Sequence, residues 1–277
     1  CENLGIVRIE IPGYEKLYFD LETRLEERYG LKAARIVGSD FAEGLYSDLG
    51  SAAGKYLSGI LKNGDIIGFS RGRATAALVD SLKECDKGNL TVTQLVGGWT
   101  GRDTNIDVDD IVSRLAQKLG AEAVKLYAPV VVNSPEIRKS IMEEPFFQKA
   151  YLSIKACTIA VVGIGTLENR KHLINTVPGL KETDFLDYLE KGAVGEVCAH
   201  FYDLRGNQVR TALDERLITV ELEDYLRIPL RIGIAGRIDK LSAIRGALEG
   251  GYINVLVTDH DTAAELLHEP RKSQEGA

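Results

Sequence analysis

The sequence predicts an α/β fold, a mostly parallel sheet flanked by helices. Three observations carry that prediction. Short apolar runs alternate with helical patterns along the whole chain, which is the signature of successive βα units. The run Thr158-Ile159-Ala160-Val161-Val162-Gly163-Ile164-Gly165-Thr166 is apolar without alternation, as a strand buried on both faces must be. Several strand ends also carry glycines and hydroxyls, and in open sheets of this kind ligands bind outside the carboxyl ends of the strands.

The elements follow in order. Leu17, Leu21, Leu25 and Tyr29 recur at helical spacing through a charged segment that stops at Gly30. Residues 33–37 read as a strand, and residues 45–61 as a helix rich in Gly and Ala, ended by Asn63-Gly64. The apolar run before Ser70 is a strand, residues 74–82 its helix, and residues 90–96 a strand leading into Gly97-Gly98. Residues 106–119 form a helix whose acidic first turn (Asp107, Asp109, Asp110) suits the helix dipole. Residues 123–128 are a strand closed by Pro129, and residues 135–154 are helical but interrupted at Pro145. After the 158–166 strand come a short helix at 185–191 and a hairpin. The hairpin pairs 199–202 with 207–210 about Asp203-Leu204-Arg205-Gly206. A strand (231–235), a helix (241–248), a strand (253–258) and a helix (262–267) complete the pattern. The reading is one domain over residues 1–270, with the hairpin region as a small subdomain or lid, and a frayed polar tail at 271–277.

Bulk properties narrow the function. A chain of 277 residues buries a sizeable core, and a net charge of −7 argues against a broad surface for nucleic acid. No apolar run approaches the roughly 20 residues that span a bilayer, so no membrane partner is expected. No secretory signal is read at the start. Cys1, Cys85, Cys157 and Cys198 are far apart without a Cys-x-x-Cys pair, which fits a reducing, cytoplasmic home and no structural metal. His172, His200, His260 and His268 lack metal-ligand spacing, and no cofactor is expected. The chain begins at Cys1 and its one methionine is Met142, so the expectation is a piece of a longer protein with more chain upstream.

The richest stretch is Gly68-Phe69-Ser70-Arg71-Gly72-Arg73-Ala74-Thr75. A strand that delivers such a turn to a helix N-terminus makes an anion site, because the first helical N–H groups lack internal partners. Gly72 permits close approach, Ser70 and Thr75 bring hydroxyls, and Arg71 and Arg73 bring fixed charge. The pattern matches neither the Walker A loop nor the Rossmann fingerprint, and the same turn also reads as a tight connection that binds nothing. Gly97 and Gly98 end one strand, Gly165 and Thr166 another, and Lys240 follows the 231–235 strand. Glu196 and Asp203 flank the hairpin, where a carboxylate accepts hydrogen bonds from sugar hydroxyls. Trp99 stacks on a sugar or packs in the core. The bland alternatives are a surface lysine, a turn aspartate and a solvated glutamate. No Ser/His/Asp constellation is present.

These residues resemble the effector-binding domain of SorC/DeoR-type bacterial sugar-responsive transcription regulators. The likeness is densest from Gly192 to Leu267. It includes Gly192-Ala193-Val194-Gly195-Glu196-Val197, His200-Phe201-Tyr202-Asp203-Leu204-Arg205-Gly206, Arg227-Ile228-Pro229 and Gly233-Ile234-Ala235-Gly236. It continues through Lys240, Ala243-Ile244-Arg245-Gly246-Ala247-Leu248 and Gly250-Gly251-Tyr252-Ile253-Asn254-Val255-Leu256-Val257-Thr258-Asp259, while Gly68 to Gly72 and Gln94-Leu95-Val96-Gly97-Gly98 match the amino-terminal half. The resemblance implies a fold similar to glucosamine-6-phosphate deaminase and ribose-5-phosphate isomerase. It also implies a non-catalytic site for a sugar or sugar phosphate, and operator DNA bound through a preceding helix-turn-helix domain. Paired operator heads imply a homodimer or homotetramer. By the same analogy Ser70 to Thr75 and Lys240 hold the phosphate, while Glu196 and Asp203 meet hydroxyls.

Three positions depart from the pattern. Val96 stands where some members place a lysine or arginine, which in one branch forms a Schiff base. Arg71 sits between the serine and the glycine, adding charge. Arg237 replaces the usual second glycine after Ala235-Gly236, where a side chain is expected to narrow the mouth of the site or touch the ligand. The rival reading is a sugar-phosphate isomerase or deaminase with Glu196 or Asp203 as general base.

Overall fold

The computed structural model describes residues 18–38, 44–82, 87–98 and 107–268, apart from the side chains of Asn169 and His172. Cys1, Leu17, Cys85, Trp99, Thr100, Ile106 and the 271–277 tail lie outside the described residues.

Strand and helix alternate as expected. The first half contains α1 (Phe19–Tyr29), β1 (Ala33–Val37), α2 (Leu45–Ile60), β2 (Ile66–Phe69), α3 (Arg73–Ser81), β3 (Thr91–Gln94), α4 (Val108–Leu119) and β4 (Glu122–Val124). Gly30 and Gly120 end α1 and α4 in the left-handed conformation, which only glycine adopts without strain. Pro145 splits the next helical stretch into α5 (Pro135–Glu143) and α6 (Pro145–Lys155), since a proline opens a helix readily but breaks one from within. There follow β5 (Ile159–Gly163), α7 (Arg170–Thr176), α8 (Glu182–Glu190), β6 (Ala193–Val197), β7 (His200–Asp203), α9 (Leu222–Arg227), β8 (Leu230–Ile234), α10 (Leu241–Glu249), β9 (Val255–Asp259) and α11 (His260–Leu267).

Seven strands form one sheet in the order β1-β9-β8-β5-β2-β3-β4, and every pairing is parallel. Side chains alternate between two cores. Ile159 and Val161 of β5 join Leu49, Leu57 and Leu78 on the α2–α3 side, and Ala160 and Val162 join Phe147, Ile244 and Leu266 on the other. The chain leaves β2 toward β3 on one side and β5 toward β8 on the other. The order therefore reverses between β2 and β5, and that reversal opens a crevice at the strand ends.

Small residues set how closely α3 approaches. A Cβ on Gly50 of α2 would stand 2.4 Å from the Ala77 carbonyl carbon, and one on Gly54 would meet the Ser81 hydroxyl at 2.7 Å. The Gly- and Ala-rich helix of the sequence is thus a close helix–helix contact that fixes where α3 begins.

The hairpin differs from expectation. β7 pairs antiparallel with β6, before it in sequence, and residues 207–209 return only through a Tyr202–Gln208 bridge. The turn is Cys198-Ala199, both at positive φ (51° and 62°). Such two-residue turns normally announce themselves as Asn-Gly or Asp-Gly, so this one is silent in the sequence. β6 is equally hidden, because Gly195 reads as a breaker. Its glycine is a packing requirement, since a Cβ there would sit 2.6 Å from the Ala243 side chain. β4 is shorter than the expected strand and largely exposed, as befits an edge.

His200 is buried on β7, its Nε2 2.8 Å from the Val220 carbonyl. That contact needs the N–H tautomer, and burial holds the imidazole pKa below the ordinary histidine value. The unfolded chain therefore takes up a proton, near pH 6.5, that the folded one refuses. The expected outcome is that stability falls as pH drops below about 6.5, and that His200→Gln shows a shallower fall in urea unfolding at pH 7 and pH 5.

Candidate functional site

At the reversal between β2 and β5 lies a cavity of about 480 Å³. One end is polar and is built by three strand ends. Ser70 locks the first two together: its N–H donates to Val161 O at 3.1 Å, and its Oγ accepts from the Gly163 N–H at 3.1 Å. Arg71 and Gly72 follow on the cavity wall. Gly72, at φ 147°, turns the chain into α3, which begins without a side-chain cap, leaving its first-turn N–H groups to the cavity. Arg73 stands at the mouth with its guanidinium 4.4 Å from the Tyr46 ring centre, a stacking that holds the cation in place.

Lys240 enters from the end of β8. Its Nζ donates to Ile164 O at 2.7 Å, which draws the ammonium across the strand ends. The turn carrying it hangs on the buried Asp259. That carboxylate accepts from the Arg237 N–H at 2.7 Å, and from the Thr262 N–H and hydroxyl at 3.0 and 2.8 Å. The last strand thus positions a cation contributed by the one before it.

Glu196 faces this cation cluster from β6. Its backbone bridges Gly165 in both directions, at 3.0 and 3.1 Å, and its Oε2 accepts from the Ala199 N–H at 2.9 Å. A Cβ on Gly165 would lie 2.1 Å from Glu196 Oε1, so the glycine is what admits the carboxylate. Burial pushes the Glu196 carboxyl above the usual carboxylate range, while the Ala199 N–H, Lys240 and Arg71 pull it back. Burial pushes the Lys240 ammonium below the usual lysine value, and Glu196 opposes that shift. The arrangement is a half-compensated set of charges, with cations in excess, able to receive an anion and to accept hydrogen bonds from hydroxyls beside it.

Of the residues read from the sequence, Ser70, Arg71, Gly72, Arg73, Gly165, Thr166, Glu196 and Lys240 line this cavity together. Four do not. Thr75 is fully buried and spends its hydroxyl on Gly72 O at 2.9 Å, shaping the turn from behind. Gly97 packs against the Pro129 backbone, where a Cβ would come within 2.7 Å. Gly98 borders a separate hollow of about 560 Å³. Asp203 closes the far end of the hairpin, accepting from the Arg205 and Asn207 backbone N–H groups at 2.9 and 2.8 Å. It is a turn aspartate, because the true hairpin lies one strand earlier. Among the described residues no cluster of His, Cys, Asp and Glu has the makings of a metal site, and no helix is long and apolar enough to cross a membrane.

The profile of the sugar-binding domain family matches residues 16–268 of this chain. The sorbitol operon regulator of Klebsiella pneumoniae is 32% identical over 268 residues, covering 95% of this chain and 84% of that protein. The deoxyribonucleoside regulator of Bacillus subtilis is 31% identical over 272 residues, covering 97% and 86%. The crystal structure of the full-length Klebsiella regulator superposes with a TM-score of 0.86 over 95% of this chain and 85% of that one. The chain belongs to the sugar-binding domain family of SorC/DeoR-type transcription regulators. As a member of that family it is a sugar-sensing domain and not an enzyme, so the isomerase alternative is set aside.

Two departures from the family pattern now have positions. Val96 is buried on the cavity wall beside Val130 and Val131. Arg237 holds φ 87° and ψ 139°, a conformation suited to glycine. Its side chain turns away from the cavity and its Nε donates to Asp239 Oδ1 at 3.1 Å, so the expected narrowing of the mouth does not occur. Arg237→Gly is expected to raise stability by about 1 kcal/mol by removing that strain, measured by urea unfolding, without altering ligand affinity.

Sequence reasoning missed the roof. Leu173 and Val177 of α7, Phe185 of α8, Phe201 of β7, and Leu213 and Leu217 close the cavity opposite the cations. As isolated apolar residues in short elements they carry no signal distinguishing a cavity wall from ordinary core. Tyr46, at the start of α2, was missed for the same reason.

Proposed function

We propose that this chain is the effector-sensing and oligomerising part of a sugar-responsive regulator, and that its effector is a phosphorylated sugar. The observation that carries the reading is the grouping of Arg71, Arg73 and Lys240 around the uncapped start of α3, with Glu196 opposite. The phosphate takes the α3 N–H groups and the Lys240 ammonium, and Glu196 accepts from sugar hydroxyls. The names of the relatives, regulators of sorbitol and of deoxyribonucleoside operons, support a carbohydrate ligand. Val96 offers no amine, so capture at that position is non-covalent.

In this reading a helix-turn-helix domain precedes the chain, the whole protein works in the cytoplasm as a homodimer or homotetramer, and effector binding alters its grip on operator DNA. The effector shifts that grip only by as much as it prefers one arrangement of subunits over another, a coupling of about 1–3 kcal/mol. Unfolding of the chain in the presence of a panel of sugar phosphates and their unphosphorylated parents tests the reading. A matching sugar phosphate stabilises by about 2.7 kcal/mol at a hundred times its dissociation constant, and its parent sugar far less. Equal stabilisation by both members of each pair, or by neither, overturns it.

A further inference from the structure

The cavity is two-ended, and its far end is hydrocarbon. Opposite the cations stand Val96, Val130, Leu173, Val177, Phe185 and Leu217. The backbone of that wall has no hydrogen bonds to spare. Gly97 N–H donates to Ile218 O, Val130 N–H to Gly98 O, Ile218 N–H to Val130 O and Val220 N–H to Leu95 O, all at 2.8–2.9 Å. The nearby Thr219 hydroxyl is tied to Leu95 O and Cys198 O at 3.1 and 2.7 Å. The charged and hydroxyl-bearing side chains of the lining (Ser70, Arg71, Arg73, Thr166, Glu196 and Lys240) sit on the strand ends and on β6, across the cavity from these groups.

A fully hydroxylated sugar filling about 480 Å³ would press several hydroxyls against this wall, each left without a partner. A hydrocarbon group placed there loses nothing and gains by leaving water. We propose that the effector is an anionic sugar carrying an apolar substituent of several carbon atoms, with its charge at the Ser70–Arg73 turn and Lys240 and its substituent beneath α7 and α8. The proposal rests on the phosphorylated-sugar reading above and specifies the other end of the ligand.

Calorimetric titration of the chain with n-alkyl phosphates, from methyl to hexyl phosphate, isolates that end, with glucose 6-phosphate and sorbitol 6-phosphate titrated alongside. Affinity is expected to rise about fourfold per added methylene until the cavity is filled. Leu173→Gln, on the partly exposed face of α7, and the near-isosteric Val130→Thr are each expected to flatten that rise while leaving methyl phosphate binding within twofold. Sugar phosphates that bind while alkyl length has no effect would overturn this inference and leave the phosphorylated-sugar reading standing. Failure of every phosphate to bind would overturn both. A rise with chain length that neither variant flattens places the hydrocarbon elsewhere and also overturns the inference.

Discussion

Lys240→Met is expected to weaken sugar phosphate binding by roughly 10- to 100-fold, the worth of a charge-assisted hydrogen bond in a sheltered site. Neutral sugars should lose less than about threefold. The side chain contributes little else to the fold, since its one described hydrogen bond is to Ile164 O and burial already disfavours its charge. Folding should therefore change little, which separates a binding role from a structural one. The pH dependence has a definite sign. Lys240 starts with a pKa below the usual lysine value, and an anion beside it raises that pKa, so binding takes up a proton. Affinity is full below the ligand-free pKa and falls as pH rises through it. Above about pH 7 the phosphate itself no longer titrates, so calorimetry between about pH 7.5 and 9.5 reads the lysine. In Lys240→Met that slope should vanish.

Gly165→Ala is the second large effect. The added Cβ would fall 2.1 Å from Glu196 Oε1. The two residues are bonded through their backbones in both directions, so neither strand can retreat and the carboxylate must swing out. Crowding of this kind costs about 1–3 kcal/mol of stability. The functional consequence is more specific. Inorganic phosphate should bind Gly165→Ala as it binds the parent chain, because the cations are untouched. Sugar phosphates should lose the hydroxyl contacts of Glu196 and fall toward the affinity of inorganic phosphate. Glu196→Gln, which keeps the shape and removes the charge, should show the same loss without the stability cost. Were both anions weakened equally, Glu196 would be acting on the charge of the site and not on hydroxyls.

The sheet is legible in the sequence because its strands obey simple rules. An unalternating apolar run such as β5 reads as a strand buried on both faces, and Gly30, Gly120 and Pro145 punctuate helices where their backbones allow little else. The polar end of the cavity is legible for a related reason, since parallel strands deliver their following turns to one rim. The assumption that all such turns converge goes too far. Gly97 and Gly98 end β3, beyond β2 from the reversal, and there a close crossing by residues 128–130 demands glycine for packing alone. The hairpin escapes the sequence because a Cys-Ala turn at positive φ and a Gly-bearing strand both break the usual signals. Asp203 consequently falls at the end of the hairpin away from the cavity. Glu196 flanks the hairpin in sequence, and only the bridge to Gly165, a long-range pairing, explains why it faces the cations. The apolar roof carries no signal at all, because nothing in a sequence separates a leucine over a cavity from a leucine in the core.

The most direct test is a crystal structure of the chain with the sugar phosphate that stabilises it best. The account predicts a phosphate group within hydrogen-bonding distance of the Lys240 ammonium and the first N–H groups of α3, with a sugar hydroxyl on Glu196. A phosphate found beside Gly98, or anywhere away from the reversal between β2 and β5, would contradict it.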